Sequence, residues 1–397
     1  MPVRTDPHVA PGDALALTRA LVACDSRNPA FADDAPGEGA AAALLADTLG
    51  AWGFTVDLLE AAPGRPNVLA RIGGGHGGRS LILNGHLDTV GVVGMTHDPF
   101  AATERDGRLY GRGSCDMKAG VAAMCAAALQ AAKAGLGGEV IIAAVADEEF
   151  ASVGTKALLE MGVTAHAAIV TEPTRLAVCP AHRGFSWADV TVHGRAAHGS
   201  RYDIGVDAIT HAGHLLSELD TYNRDVLATR QHPLLGHASL HAGTITGGGG
   251  VSIYPESCAL SFERRTLPGE RGEDFADEIR AAVARVAARV PNFSADVTPG
   301  LIQQPNDVAP DQPLVTWLVE ASEAAGKPAV VEGLSCWTDA ALFTAAGIPA
   351  ICYGPGDIAL AHAAEEYVPI AEIQTATDVL TRFITAWSGP KGTAWGS

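Results

Sequence analysis

The hydrophobic pattern of the first 180 residues alternates between two periods. Leu and Ala recur at helical spacing over 13–23 and 39–52, and helices are predicted again over 121–132 and 152–161. Between them lie short unbroken apolar runs at 80–83, 140–145 and 167–170, the kind buried on both faces of a parallel sheet. Such alternation predicts an α/β sheet with helices on its faces.

The rhythm changes near residue 183. Segment 185–192 alternates as a half-buried strand, followed by a helix over 207–219, strands over 238–246 and 257–265, and a helix over 273–290. That order suits a small α+β domain with two helices on an antiparallel sheet. After Pro305 the first rhythm returns, with helices at 311–325, 339–346 and 370–388 and a strand at 349–353. The expected fold is α/β, a mostly parallel sheet with helices on both faces, interrupted by a smaller α+β domain. Residues 1–182 and 296–397 would form the large domain and 183–295 the insertion.

Composition narrows the partners. The 397 residues carry 45 Asp and Glu against 27 Lys and Arg, a formal net charge of −18, with no basic cluster beyond pairs. Such a chain repels phosphate backbones and anionic bilayers, so neither nucleic acid nor membrane is expected as a partner. The seven cysteines are scattered and never spaced C-x-x-C, which argues against a disulfide framework or a zinc ribbon. The N-terminal apolar stretch is broken by Arg19, unlike the core of a signal peptide. The run 119–132 is too short to span a bilayer, which takes about 20 residues. A cytoplasmic location is expected.

The chemistry lies just after the strands. Run 81–83 leads into His86 and Asp88, run 140–145 into Glu148 and Glu149, run 167–170 into Glu172, and run 349–353 into Gly356, Asp357 and His362. Parallel strands end on one edge, where open α/β sheets bind their ligands. The Gly-rich turn 111–116 adds Asp116 just before a helix. Any one of these carboxylates alone reads as a helix cap or a solvated charge. Several on one rim repel each other and lose hydration unless cations neutralise them. Histidine and carboxylate without thiolate suit zinc, cobalt or manganese. His86, Asp116, Glu149, Glu172 and His362 are enough for two ions of three ligands each if Asp116 bridges. Glu148, beside a ligand but free of the metals, is then the expected general base. Asp88 is placed to accept the second ring proton of His86.

The motifs NGHLDTV, GRGSCDMKAG, DEE, TEPT, HGRAAHGS and GPGDIALAH…EEYV together resemble the dinuclear zinc deacylases and exopeptidases. That family includes acetylornithine deacetylase, succinyl-diaminopimelate desuccinylase, aminoacylase-1 and the glutamate carboxypeptidases. The resemblance runs over essentially the whole chain. It implies His86, Asp116 and Glu172 on one ion and Asp116, Glu149 and His362 on the other, with Glu148 as base and Asp88 behind His86.

It also implies that the insertion pairs two subunits into a homodimer and that His198 reaches the partner's site to stabilise an oxyanion. Arg265 corresponds to an arginine that grips a substrate carboxylate, for which a planar guanidinium is suited. Arg264 beside it would face the other way on a strand. The turn at Gly354–Gly356 offers backbone N–H groups, Gly356 among them, to the same anion. Ser252 stands where many relatives carry Asn, a departure that touches substrate choice and not the metals. His182 and His193 receive no role and are expected at the surface or between domains.

The expected activity is hydrolysis of the amide of an N-acyl amino acid with a free carboxylate, by deacylation similar to that of acetylornithine deacetylase. A metallo-exopeptidase of the same family is the alternative, and a catalytically silent binding relative a remote one. Gly111–Asp116 begins like a dinucleotide fingerprint but ends in a carboxylate that would face pyrophosphate. No G-x-S-x-G is present for a serine hydrolase.

Overall fold

The computed structural model describes residues 9–75 and 77–390, so the first eight residues of the stretch read for a leader lie outside it. The chain divides into two compact units, one running to Pro180 and resuming over Val308–Glu332 and from Thr338, the other comprising Ala181–Asp307 and Gly333–Trp337.

The larger unit is mixed α/β. Strand Leu81–His86 is buried along its whole length and pairs in parallel with Glu139–Val145 on one side and Ala168–Val170 on the other. Ala350–Cys352 adds to Ala168–Val170 in the same sense. These are the apolar runs of the sequence, and the absence of polar alternation is what burial on both faces requires. Their C-terminal ends share one edge.

The margins are antiparallel. Arg65–Gly73 pairs with Glu139–Val145, and Thr55–Ala62 folds back on Arg65–Gly73 as a hairpin the sequence pattern does not announce. Charged residues interleave with its apolar ones because one side faces water.

Helix Ala119–Ala134 carries alanine around its circumference and is buried almost throughout. A helix without a polar face belongs inside a domain. It packs beneath helix Ile370–Trp387, where Thr381 Oγ1 donates to Gln130 Oε1 at 3.3 Å. Among the described residues no helix is long and apolar enough to cross a membrane.

The smaller unit is a four-stranded antiparallel sheet in the order Ser239–Gly247, Ser257–Thr266, Gly184–His193, Ser294–Gln303. Helices Ala208–Asp225 and Asp274–Ala287 contribute Leu215, Leu219, Phe275 and Ile279 to a core with Val190, Val192, Leu260 and Phe262. The fourth strand is absent from the sequence reading, and with it the unit runs on to Asp307, past the seam expected at 295. Pro299 and Gly300 hide it: they sit at a register shift on an edge strand, where a missing N–H costs the ladder little.

Candidate metal centre

His86 ends its buried strand, and its side chain is only 1% exposed. The turn bearing Asp116, Ser114–Lys118, is entered through Gly113 at φ 78°, a left-handed conformation that favours glycine. Asp116 itself is non-helical at φ −117°, ψ 97°, which keeps its side chain out of the helix that follows.

The carboxylate of Asp116 lies between two histidines. His86 Nε2 is 3.1 Å from Oδ1, and His362 Nε2 is 3.4 Å from Oδ2. His362 Nε2 is also 2.9 Å from Glu149 Oε2. Glu148 Oε2 and Glu172 Oε1 stand 3.9 and 4.0 Å from His86 Nε2. Two sets of ligand atoms, His86–Asp116–Glu149 and His86–Glu148–Glu172, each fall within 4.8 Å of one another. Glu148 is thus near enough to serve as ligand or as base.

Crowding perturbs His86, Asp116, Glu148, Glu172 and His362. Burial, then the neighbouring Glu172, pushes Glu148 well above the usual carboxylate range; burial and Asp116 do the same to Glu172. Burial acts against charge on Asp116 too, yet hydrogen bonds from His362 and His86 hold it below its ordinary value. His362, hydrogen-bonded to Asp116 and Glu149, rises to about 10. The protein alone therefore balances this site by protonating histidines and carboxylates, work that a divalent cation would do without protons. Glu149 Oε1 is buried with no hydrogen-bond partner, an acceptor oxygen suited to a cation. The donor set fits divalent metal.

Behind the ligands lies a buried polar network. Asp88 Oδ1 accepts from the Glu148 N–H at 3.1 Å and Oδ2 from the Glu149 N–H at 3.2 Å. The Asn28 amide donates to Asp88 Oδ2 at 2.8 Å and to Asp147 Oδ1 at 3.0 Å. Arg65 pairs with Asp147 at 3.1 Å and donates to Glu38 at 2.7 Å, while Glu38 accepts the Asp147 N–H at 3.2 Å. Asp147 sits at φ 68°, and this lattice holds the strained turn that presents Glu148 and Glu149. Asp339, fully buried, accepts from Thr155 at 2.6 Å and is raised to about 6, chiefly by burial. Asn28, Glu38, Arg65, Asp339 and Glu366, described below, receive no role in the sequence reading, nor does Asp147, although it stands in the quoted DEE motif. Glu366 stands inside the quoted EEYV motif, which was its one available signal.

Several expectations change. His86 Nδ1 faces the Asp88 main-chain carbonyl at 2.9 Å, with the carboxylate at 3.6 Å, because the carboxylate is already engaged by the Glu148 and Glu149 amides. The Gly356 N–H expected to bind substrate donates instead to Glu372 at 2.8 Å, and the Gly354 N–H to Thr174 at 3.1 Å. That turn is closed by internal bonds. His182, expected at the surface or between domains, is buried in the smaller unit, its Nδ1–H donating to the Arg183 carbonyl at 2.9 Å and its ring edge-on to Trp337. Also in that unit, His198 is exposed and bonded to Ser200 at 2.9 Å, and Ser252 is exposed. Arg264 and Arg265 face opposite ways: Arg264 is buried against Glu270 at 2.7 Å, and Arg265 is half-buried, over Phe185, with its Nε on Glu263 at 2.7 Å.

Comparison with known proteins agrees with this chemistry. The model of peptidase family M20/M25/M40 matches residues 82–386. Acetylornithine deacetylase of Myxococcus xanthus is 33% identical over 351 residues, covering 86% of this chain and 90% of that protein. The Proteus mirabilis enzyme of the same name is 30% identical over 377 residues, covering 93% and 95%. Among solved structures, a tripeptidase from Staphylococcus aureus superposes with a TM-score of 0.80 at 21% identity, covering 96% of this chain and all (100%) of that one. A dinuclear metal-binding peptidase from Bacillus subtilis does so at 0.70 and 16%, covering 95% and 98%.

Proposed function

The chain belongs to peptidase family M20/M25/M40 and is a hydrolase of carbon–nitrogen bonds, and on that premise we propose that it removes the acyl group of an N-acyl amino acid with a free carboxylate, using two divalent cations. The observation that carries the two-cation reading is the position of Asp116, one oxygen toward His86 and the other toward His362. His86, Asp116 and Glu172 would hold one cation and Asp116, Glu149 and His362 the other. Zinc is the proposed metal, with cobalt or manganese able to use the same donors.

When bound, the cations would polarise the amide carbonyl and acidify the attacking water. Glu148 takes a proton from that water as its oxygen bonds to the carbonyl carbon. It then delivers the proton to the amide nitrogen as the C–N bond breaks, releasing the acyl carboxylate and the free amine. Between Glu148 as ligand and as base, the second role is the proposed one because its neighbour Glu149, 2.9 Å from His362, already supplies the carboxylate on that side, while Glu148 stands 3.9 Å from His86.

Arg265 is the proposed contact for the substrate carboxylate, with Ser252 near the same group. His198 is the proposed oxyanion donor, supplied by a second copy of the chain. The exposed edge strand Ser239–Gly247, with Ile245 half in water, supports pairing of two copies through the smaller unit. Seven cysteines without a disulfide support a cytoplasmic setting.

The test combines elemental analysis with hydrolysis of N-acetyl amino acids and of dipeptides by one preparation. Two equivalents of metal, cleavage of the N-acetyl compounds, and loss of activity with retention of metal in Glu148→Ala are expected. Cleavage of dipeptides alone would move the reading to an exopeptidase, and metal lost from Glu148→Ala would make that residue a ligand.

A further inference from the structure

The turn that carries Asp116 is built around a carboxylate from far along the chain. Glu366 is fully buried. Its Oε1 accepts the backbone N–H groups of Cys115 at 2.9 Å and Asp116 at 3.1 Å. Its Oε2 accepts the Gly113 N–H at 3.1 Å and the Arg112 guanidinium at 2.6 Å. Successive N–H groups converging on one anion form a nest, the device that elsewhere cradles phosphate. Here the anion is a side chain, and its charge is matched by buried Arg112.

The same residue holds the segment of His362. The Gly111 N–H donates to the Glu366 carbonyl at 3.3 Å, and Arg112 reaches the Ala363 carbonyl at 3.5 Å and that of Gly91 at 3.0 Å. His362 lies four residues before Glu366 and adopts φ 61°, a left-handed conformation that needs support from its surroundings.

We propose that Glu366 is a positioning residue for the metal centre: its buried carboxylate fills the nest at 113–116 and so fixes Asp116 and His362 at the separation that lets them share a cation. The inference rests on the two-cation reading above. Glutamine is nearly isosteric, but its NH₂ would face either two backbone N–H groups or a backbone N–H and a guanidinium, donor against donor. The turn must then shift, and Asp116, a ligand of both cations, shifts with it.

The experiment measures zinc affinity of metal-stripped protein by dialysis against a competing chelator, and the visible absorption of the cobalt-loaded form. Glu366→Gln should lose at least about tenfold in affinity for both cations, the usual effect of removing an outer partner, and its cobalt spectrum should change. Leu318→Ala, in the core of helix Pro313–Ala324, serves as a control that lowers stability and leaves affinity and spectrum as in wild type. If Glu366→Gln does not fold, Arg112→Gln carries the test, with a smaller loss in the same direction. Wild-type affinity and spectrum in the folded Glu366→Gln or Arg112→Gln protein, or an equal loss in Leu318→Ala, would overturn the inference. A wild-type chain that takes up no cation would instead overturn the two-cation reading beneath it.

Discussion

Asn28 offers the sharpest test of how the DEE turn is held. It is fully buried, and its one NH₂ group serves two buried carboxylates, Asp88 at 2.8 Å and Asp147 at 3.0 Å. Asp88 is already raised to about 7, first by burial, with the Asn28 hydrogen bond among the effects that restrain it. A hydrogen bond to a charged group contributes about 1.5–3 kcal/mol, so Asn28→Ala should cost about 3–6 kcal/mol, less whatever a water entering the space restores. Asn28→Asp keeps the shape but turns donor into acceptor, placing three carboxylates in contact. At pH 8 it should therefore be worse than alanine. On acidification toward pH 6 a shared proton should restore the missing bond in the aspartate variant and do nothing for the alanine variant. The assay is chemical unfolding of metal-free protein at both pH values, with kcat and zinc content of the loaded enzyme measured in parallel. The reasoning is refuted if Asn28→Ala unfolds within 0.5 kcal/mol of wild type (about the spread of neutral surface substitutions), or if aspartate is the milder change at pH 8.

Three other outcomes are expected. Burial holds His182 down to about 4 against an ordinary 6.5, so the unfolded chain takes up a proton that the folded unit refuses. Stability should fall as pH drops through that window, by up to about 3 kcal/mol, and urea titrations of His182→Phe should show a flatter profile. In Gly120→Ala, a methyl group would fall 2.0 Å from the Thr171 carbonyl, beside Glu172. It should cost about 3 kcal/mol or more, seen as a lower Tm, together with weaker zinc binding. Zinc at a thousandfold its dissociation constant should stabilise the protein by about 4 kcal/mol; the gain should shrink in Glu149→Ala and vanish with chelator.

The strands that lead to the candidate ligands were legible because burial on both faces leaves an unbroken apolar run, and each run is followed at once by histidine or carboxylate. Asp116 stood out in the sequence because a glycine-rich turn carries it just before a helix, and the structure places it between His86 and His362. What stayed hidden depends on pairs far apart in sequence. Nothing local to Asn28 says that it will meet Asp88 and Asp147, and nothing local to Glu366 says that its charge will be spent inside a backbone nest. The Gly356 turn misled for the same reason: a free N–H in sequence was an occupied one in space, taken by Glu372. Strand Ser294–Gln303 was masked by Pro299 and Gly300, residues that deny a central strand but not an edge.

The larger unit is assembled from separate stretches of the chain, and its last helix covers a helix made some 250 residues earlier. Synthesis therefore delivers the site in instalments. At about 5–20 residues per second, the stretch from Glu172 to His362 takes on the order of ten to forty seconds to emerge. Within that interval the smaller unit can complete its own core, while Asp116, Glu148, Glu149 and Glu172 wait without His362, and the turn of Asp116 waits without Glu366. A cation held by all of these residues would therefore be loaded after the ribosome rather than on it.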